Sequence, residues 1–103
     1  MRMLLKVRMP VEPANTLARA GKLGTTIQAI LADLKPEAAY FSDVDGQRGG
    51  FLFFDLQDPS QIPAIAEPWF QAFKADIEMH PVMVPEDLAK AAGAIEKAVK
   101  KYA

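Results

Sequence analysis

Four large apolar residues follow one another at Phe51–Phe54, directly after Gly49 and Gly50. Neighbouring side chains on a β-strand point to opposite faces of the sheet, so two of the four project each way. A strand that is apolar on both faces is typical of a sheet that is covered on both sides. The chain must therefore supply or recruit a cover for each face of its sheet.

Composition limits the classes of protein and partner to be considered. The chain has 103 residues, and we predict a single domain over residues 1–103. Twelve basic residues against thirteen acidic ones give a formal net charge of −1, which provides no overall field to attract nucleic acid or anionic lipid. No run of about 20 apolar residues and no signal-peptide core is present. We therefore expect a cytoplasmic protein with neither a nucleic-acid nor a membrane partner.

Few side chains are available for reactive chemistry. The chain has no cysteine and one histidine, His80. Disulfides, thiol nucleophiles and thiolate metal sites are therefore excluded. The carboxylates show none of the ordered spacing of a calcium loop. We expect neither a metal nor a cofactor.

Hydrophobic periodicity predicts the elements of the first third of the chain. Apolar and polar residues alternate over residues 3–9, which predicts a strand. Helical spacing over residues 17–34 predicts one helix that begins in the Pro13–Asn15 region. Gly21 and Gly24 weaken this helix, and close packing against the sheet would explain both of them.

The remaining elements are marked by turn and capping residues. Ala38–Val44 is predicted as a strand that the turn Asp45-Gly46 joins to the phenylalanine strand. Asp58–Ser60 begins a helix, capped by Asp58 or Ser60, in which Pro68 should produce a kink or a break. Alternation over residues 76–84 predicts a fourth strand, and a final helix follows it.

This order of elements is βαββαβ followed by a C-terminal helix. It predicts an α+β fold of the ferredoxin-like type, with antiparallel sheet order 4-1-3-2 and the phenylalanine strand at a central position. Both helices of such a fold lie on one face of the sheet, so the other face needs a cover. We predict a homodimer in which two sheets face each other as a dimeric α+β barrel. The alternative is a monomer whose C-terminal helix folds over that face.

A family resemblance agrees with this architecture. The segments Pro36–Phe41, Asp58–Pro68 and Pro81–Leu88 are similar to segments of a small bacterial family of unassigned function. More broadly, the sequence resembles the dimeric α+β barrel proteins, which include muconolactone isomerases and antibiotic-biosynthesis monooxygenases. The resemblance implies the fold and the homodimer. It assigns no residue a role, because no catalytic motif of those enzymes is present and fold does not determine function.

His80 is the candidate catalytic residue, because an imidazole can accept or donate a proton near neutral pH. Strand alternation places it on the same side as Glu78. Antiparallel pairing of the first and fourth strands would bring Lys6 or Arg8 opposite one of these two residues. The alternative role for this group is a polar network that sets the register of the dimer.

The candidate ligand-binding residues are Arg8, Tyr40, Arg48 and Trp69. Arg8, Tyr40 and His80 would offer a cation, a hydroxyl and an imidazole to an anionic or phenolic molecule held between the sheet and its cover. Arg48 would bind a carboxylate or phosphate, and Trp69 would form a lid or pocket wall. The alternatives are strand core for Tyr40, solvated surface for Arg48 and core packing for Trp69.

RNA recognition is disfavoured even though RNA-recognition domains share this order of elements. Gly49 occupies the place of the first stacking aromatic residue, and the net charge is slightly negative. We therefore predict a homodimeric barrel protein that binds a small, partly aromatic or anionic molecule. If it is an enzyme, the fold suggests a cofactor-independent isomerase or oxygenase. The alternative is a non-catalytic dimerisation or regulatory module without a small-molecule ligand.

Overall fold

The protein, described here in all 103 residues by a computed structural model, contains one four-stranded sheet and four α-helices. The elements are β1 (Arg2–Met9), α1 (Val11–Arg19), α2 (Leu23–Leu34), β2 (Ala38–Val44), β3 (Gln47–Asp55), α3 (Ile62–Phe73), β4 (Asp76–Pro81) and α4 (Pro85–Tyr102). A 3-10 turn at Pro59–Gln61 precedes α3. All strands pair antiparallel in the order β2-β3-β1-β4, which confirms the predicted sheet order and the ferredoxin-like α+β fold.

The register of the strands sorts the side chains onto two faces. Residues directly opposite each other on antiparallel strands share a face, and Leu52 is paired with Leu5. Leu5, Leu52 and Phe54 are buried on the helix side, so Phe51 and Phe53 project from the other side. We call this helix-free side the open face. Its side chains include Leu4, Lys6, Arg8, Tyr40, Phe51, Phe53, Asp76, Glu78 and His80.

The hydrophobic core lies between the sheet and the helices α1–α3. Trp69 and Phe73 of α3 are fully buried, and their stacked rings have centroids 5.9 Å apart. Burying a Phe side chain stabilises a fold by about 1.5–3 kcal/mol, so this layer provides much of the stability of the domain. The buried members of the core are Met3, Leu5, Val7, Met9, Ala14, Ile30, Leu52, Phe54, Leu56, Trp69, Phe73 and Ala75.

The segment predicted as one helix forms two. α1 begins at Val11 and ends at Arg19, and α2 begins at Leu23. Between them, Gly21 has a φ of +71°, a left-handed conformation that glycine adopts without steric cost. A Cβ atom at Gly21 or Gly24 would meet no atom within 4 Å, so the predicted close packing of these glycines is wrong.

Of the kink or break predicted at Pro68, the break does not occur. α3 is continuous from Ile62 to Phe73, with Pro68 in its interior. A proline removes one backbone hydrogen bond from a helix, and the burial of Ala66, Trp69 and Phe73 against the core offsets that loss. Tertiary packing therefore outweighs the local preference at this position.

Asp58 caps the turn that leads into α3. Its Oδ1 atom accepts a hydrogen bond from the backbone N–H of Ser60 at 2.9 Å, and its own N–H donates to Gln61 Oε1 at 3.3 Å. The bonds from Ser60 lower the pKa of the Asp58 carboxyl below its ordinary value. This contribution to stability is present above the unfolded-state pKa of about 3.9 and is lost as the pH falls through the lower folded-state value.

We expect Asp58→Asn, which keeps a capping oxygen but no charge, to lower the midpoint of thermal unfolding at pH 7. The difference from the wild type should shrink as the pH falls below about 4, where the wild-type carboxyl becomes protonated. Asp58→Ala should be less stable than Asp58→Asn at neutral pH because it has no cap. Circular-dichroism melts between pH 3 and pH 7 measure these differences, and a constant gap between wild type and Asp58→Asn would contradict the prediction.

α4 extends away from the rest of the domain. β4 ends at Pro81, earlier than the predicted Val84, because its partner strand β1 begins at Arg2, whose carbonyl oxygen still accepts a hydrogen bond from the N–H of Val82 at 3.1 Å. None of the 18 residues of α4 is buried, and the molecule measures 59 × 28 × 21 Å. α4 therefore leaves the open face uncovered, unlike the alternative in which it folds over the sheet. No helix of the protein has both the length and the apolar character needed to cross a bilayer.

Candidate functional site

The open face is aromatic toward β2 and β3. Tyr40 is paired with Phe51 across these strands, and Leu4 is paired with Phe53 across β1 and β3. Tyr40 is 64% exposed, and the two phenylalanines are half-buried although nothing covers them. Monomeric proteins seldom leave an apolar patch of this kind in water unless it binds something.

The same face is charged toward β1 and β4. Lys6 is paired with Glu78, and its Nζ atom lies 3.4 Å from Glu78 Oε2. The other oxygen of this carboxylate, Oε1, lies 3.5 Å from His80 Nε2. Glu78 thus stands between an ammonium group and an imidazole, and we call Lys6, Glu78 and His80 the polar triad. Because Lys6 is also paired with Phe51, the triad adjoins the aromatic residues directly.

At the end of the open face beside the β2–β3 turn, residues of the hairpin cover the sheet. Gly49, the partner of Arg8, has no side chain, and buried Val44 occupies the space above it. Arg8 donates a hydrogen bond to Asp76, and this bond together with the charge of Asp76 raises the pKa of the Arg8 guanidinium. Arg8, Asp76, Val44 and Asp45 line a polar pocket of about 250 Å³ together with Lys6, Ile77 and Glu78.

Three of the predicted site residues lie on the open face, but they do not converge. Tyr40 is on the edge strand β2, His80 is on the opposite edge strand β4, and Arg8 is on β1 between them. Neighbouring strands are about 4.8 Å apart, so three strand spacings place Tyr40 roughly 14 Å from His80. His80 adjoins Glu78 and Leu4 rather than Tyr40.

The other two predicted ligand-binding residues lie elsewhere. Arg48 belongs to the helix side of the sheet, where it borders a groove with Met9, Ile27 and Phe41. Trp69 is fully buried in the core, so no surface of it is available to a ligand or a lid. Trp69 therefore has the alternative role considered for it, which is core packing. Neither residue belongs to the surface that Arg8, Tyr40 and His80 share.

Sequence reasoning missed several neighbours of this surface. Asp76 has the same strand parity as Glu78 and His80, and that parity would have identified it as a partner for Arg8. Val44 and Asp45 fold over the end of the sheet. The sequence indicates this only weakly, through the glycine at position 49, which leaves room for Val44. No three His, Asp or Glu side chains come together in an arrangement that would hold a metal ion.

The fold and this surface define a ferredoxin-like α+β domain with one helix-covered face and one bare face. The chain belongs to the family described as a domain of unknown function, DUF3303, whose sequence profile matches residues 1–96. The predicted membership of an uncharacterised family with this fold is therefore confirmed. No curated protein matches the sequence.

A solved structure has a similar fold. It is the 5-chloro-2-hydroxyhydroquinone dehydrochlorinase TftG from Burkholderia phenoliruptrix AC1100, in complex with 2,5-dihydroxybenzoquinone. The TM-score is 0.62 at 14% sequence identity, and the match covers 84% of this chain and 98% of that chain. At this identity the likeness establishes the fold.

Proposed function

We propose that this protein is a homodimer that binds a small aromatic molecule with anionic or phenolic oxygens on its open face. The observation that carries the proposal is the division of this uncovered surface into an aromatic half and a charged half. A second copy placed face to face would remove Phe51, Phe53 and Leu4 from water and enclose the polar triad. Apolar walls with a few polar groups are the usual composition of a ligand pocket.

The chemistry of the residues specifies the ligand class. The rings of Phe51 and Tyr40 offer flat surfaces to an aromatic ring, and the Lys6 ammonium group attracts a phenolate or quinone oxygen beside them. The neighbour TftG, whose fold is similar, was solved with the dihydroxyquinone described above. That complex supports a hydroxylated ring as the first compound to test.

His80 is the residue that we propose for proton transfer if the bound molecule reacts. The Glu78 carboxylate beside Nε2 favours the tautomer with its proton on that nitrogen, which leaves Nδ1 free to accept a proton from a ligand hydroxyl. A proton shift of this kind needs no cofactor and would suit an isomerase. Glu78 would act as the positioning residue of the imidazole.

A non-catalytic dimerisation module is the second candidate function. Lys6 is already paired with Glu78, and Arg8 is already paired with Asp76. Charges that already have a partner can be buried between two sheets without leaving an unpaired charge, which suits a surface that only meets its own copy. In that case the open face would bind only the partner protomer and no small molecule.

Light scattering behind size exclusion and thermal shift with 2,5-dihydroxybenzoquinone test the proposal together. We expect a dimer whose melting temperature rises with the quinone, by an amount equivalent to about 2.7 kcal/mol at 100 times the dissociation constant. Lys6→Met should weaken binding by about tenfold, because it removes a charge-assisted contact. Lys22→Met, which removes an exposed lysine from the α1–α2 connection, is the matched control and should bind normally.

The outcomes separate the candidate functions. A monomer at micromolar concentration would remove the enclosed site. A dimer that shows no thermal shift with any hydroxylated aromatic compound would favour the dimerisation module. Equal binding of phenol and the dihydroxyquinone would contradict the role of Lys6, because phenol is neutral at pH 7.

A further inference from the structure

The longest helix of the protein has an apolar stripe that nothing covers. α4 has 18 residues, so it is about 27 Å long, and none of its residues is part of the hydrophobic core. Along it, apolar residues recur at alternating steps of three and four, which is the spacing of a coiled-coil seam. Leu88, Ile95 and Tyr102 of this stripe are 53%, 57% and 78% exposed. The stripe consists of Leu88, Ala91, Ile95, Ala98 and Tyr102.

We propose that α4 pairs antiparallel with α4 of a second copy of this chain. The stripe alternates large and small side chains, so an antiparallel arrangement sets Leu88 and Ile95 against small residues. Leu88 falls opposite Ala98 of the second copy, and Ile95 falls opposite its Ala91. The two-fold axis repeats each of these contacts, because in a contact between identical surfaces every pair of residues occurs twice.

The charges that flank the stripe favour the same arrangement. In this antiparallel register Asp87, in the first turn, lies beside Lys101 of the second copy, and the symmetry produces this contact twice. In a parallel pair the two copies of Asp87 would lie on opposite edges of the seam, as would the two copies of Lys101, so neither residue would meet an opposite charge. α4 carries four lysines and three acidic residues, a near balance that gives little attraction to an anionic membrane surface.

This contact uses no residue of the open face, so it is independent of the proposed ligand site. The absence of cysteine from the chain allows a direct test by single-cysteine cross-linking. Ala94 lies beside the proposed two-fold axis, so Ala94→Cys brings two thiols across from each other. Ala98→Cys separates its two thiols by about 15 Å along the helix axis in the antiparallel pair, but places them together in a parallel pair.

We expect purified full-length Ala94→Cys to form an oxidised dimer at least about tenfold faster than Ala98→Cys, because pairing raises the local concentration of its thiols. Ala89→Cys, on the outer side of α4, is the control for random collision and should match Ala98→Cys. Adding Ile95→Asp to Ala94→Cys should abolish the fast reaction. This change should leave folding intact, because Ile95 is 57% exposed in a helix that is outside the core.

Several outcomes would overturn the α4 pairing. These are equal rates in all three cysteine variants, faster reaction of Ala98→Cys, and no cross-link in Ala94→Cys. Binding of wild-type protein to anionic phosphatidylserine vesicles, lost in Ile95→Asp and without a cross-link in solution, would assign the stripe to a lipid surface instead. Phe53→Glu in the open face should leave the Ala94→Cys cross-link intact. Loss of the cross-link in that variant would mean that α4 is not an interface in its own right.

Discussion

Gly49→Ala is expected to destabilise the protein by about 1–3 kcal/mol, as overpacking of a tight site does. A Cβ atom at this position would lie 2.3 Å from Val44 Cγ2 and 2.9 Å from the carbonyl oxygen of Val7. The first contact can be relieved by a shift of the hairpin, but the second involves the backbone of a central strand. The variant should therefore lose stability and open the pocket beside Arg8.

Urea unfolding followed by the fluorescence of Trp69 measures this effect at a fixed protein concentration. Gly24→Ala is the matched control, because its new methyl group would meet no atom within 4 Å. Alanine also has the better helix propensity, so this control should be as stable as the wild type or slightly more stable. Adding Val44→Ala to Gly49→Ala should recover only part of the loss. A Gly49→Ala protein as stable as Gly24→Ala would contradict the packing described here.

Trp69→Ala is expected to have a larger effect than Gly49→Ala, about 3–5 kcal/mol of lost stability. Trp69 is fully buried and stacks on Phe73, so its removal leaves a cavity in the centre of the helix layer. Domains of this size have a total stability of about 5–15 kcal/mol, so the variant should be largely unfolded at moderate urea concentrations. Circular dichroism follows this transition, because the variant has no tryptophan.

Trp69→Phe is the variant to compare with Trp69→Ala, because it keeps an aromatic ring in the core. The indole Nε1 atom has no hydrogen-bond partner, so phenylalanine loses volume without losing a bond. We expect a clearly smaller loss of stability and an unchanged affinity for 2,5-dihydroxybenzoquinone. A variant that keeps its stability but loses ligand binding would show that Trp69 is part of a binding site after all.

The architecture was predictable because each element has a clear local pattern. Alternation over residues 3–9 and the turn at Asp45-Gly46 define strands, and the order of strands and helices leaves few ways to connect them. The predicted order 4-1-3-2 is the observed one. The break at Gly21 was also present in the sequence, but a glycine in a helical pattern is compatible with both a weakened helix and an interruption.

The site was predictable only in part. Strand parity places Arg8 and His80 on one face but leaves open whether Tyr40 or Phe41 joins them, and the predicted strand order already implies that β2 and β4 lie at opposite edges. The predicted strand order therefore argues against bringing Tyr40 and His80 of one chain together. Glu78 and Lys6 emerge as the closer partners of His80, because the β1–β4 register aligns them.

Most strands and the positions of the helical segments follow from the amino-acid sequence, because hydrophobic periodicity and turn residues act over a few neighbouring positions. Which pair in Phe51–Phe54 faces the helices does not, because all four side chains are apolar and the choice depends on pairing with β1. The same is true of α4. Its stripe resembles any amphipathic helix in the sequence, and whether it meets its own core or remains exposed is decided by the packing of distant segments.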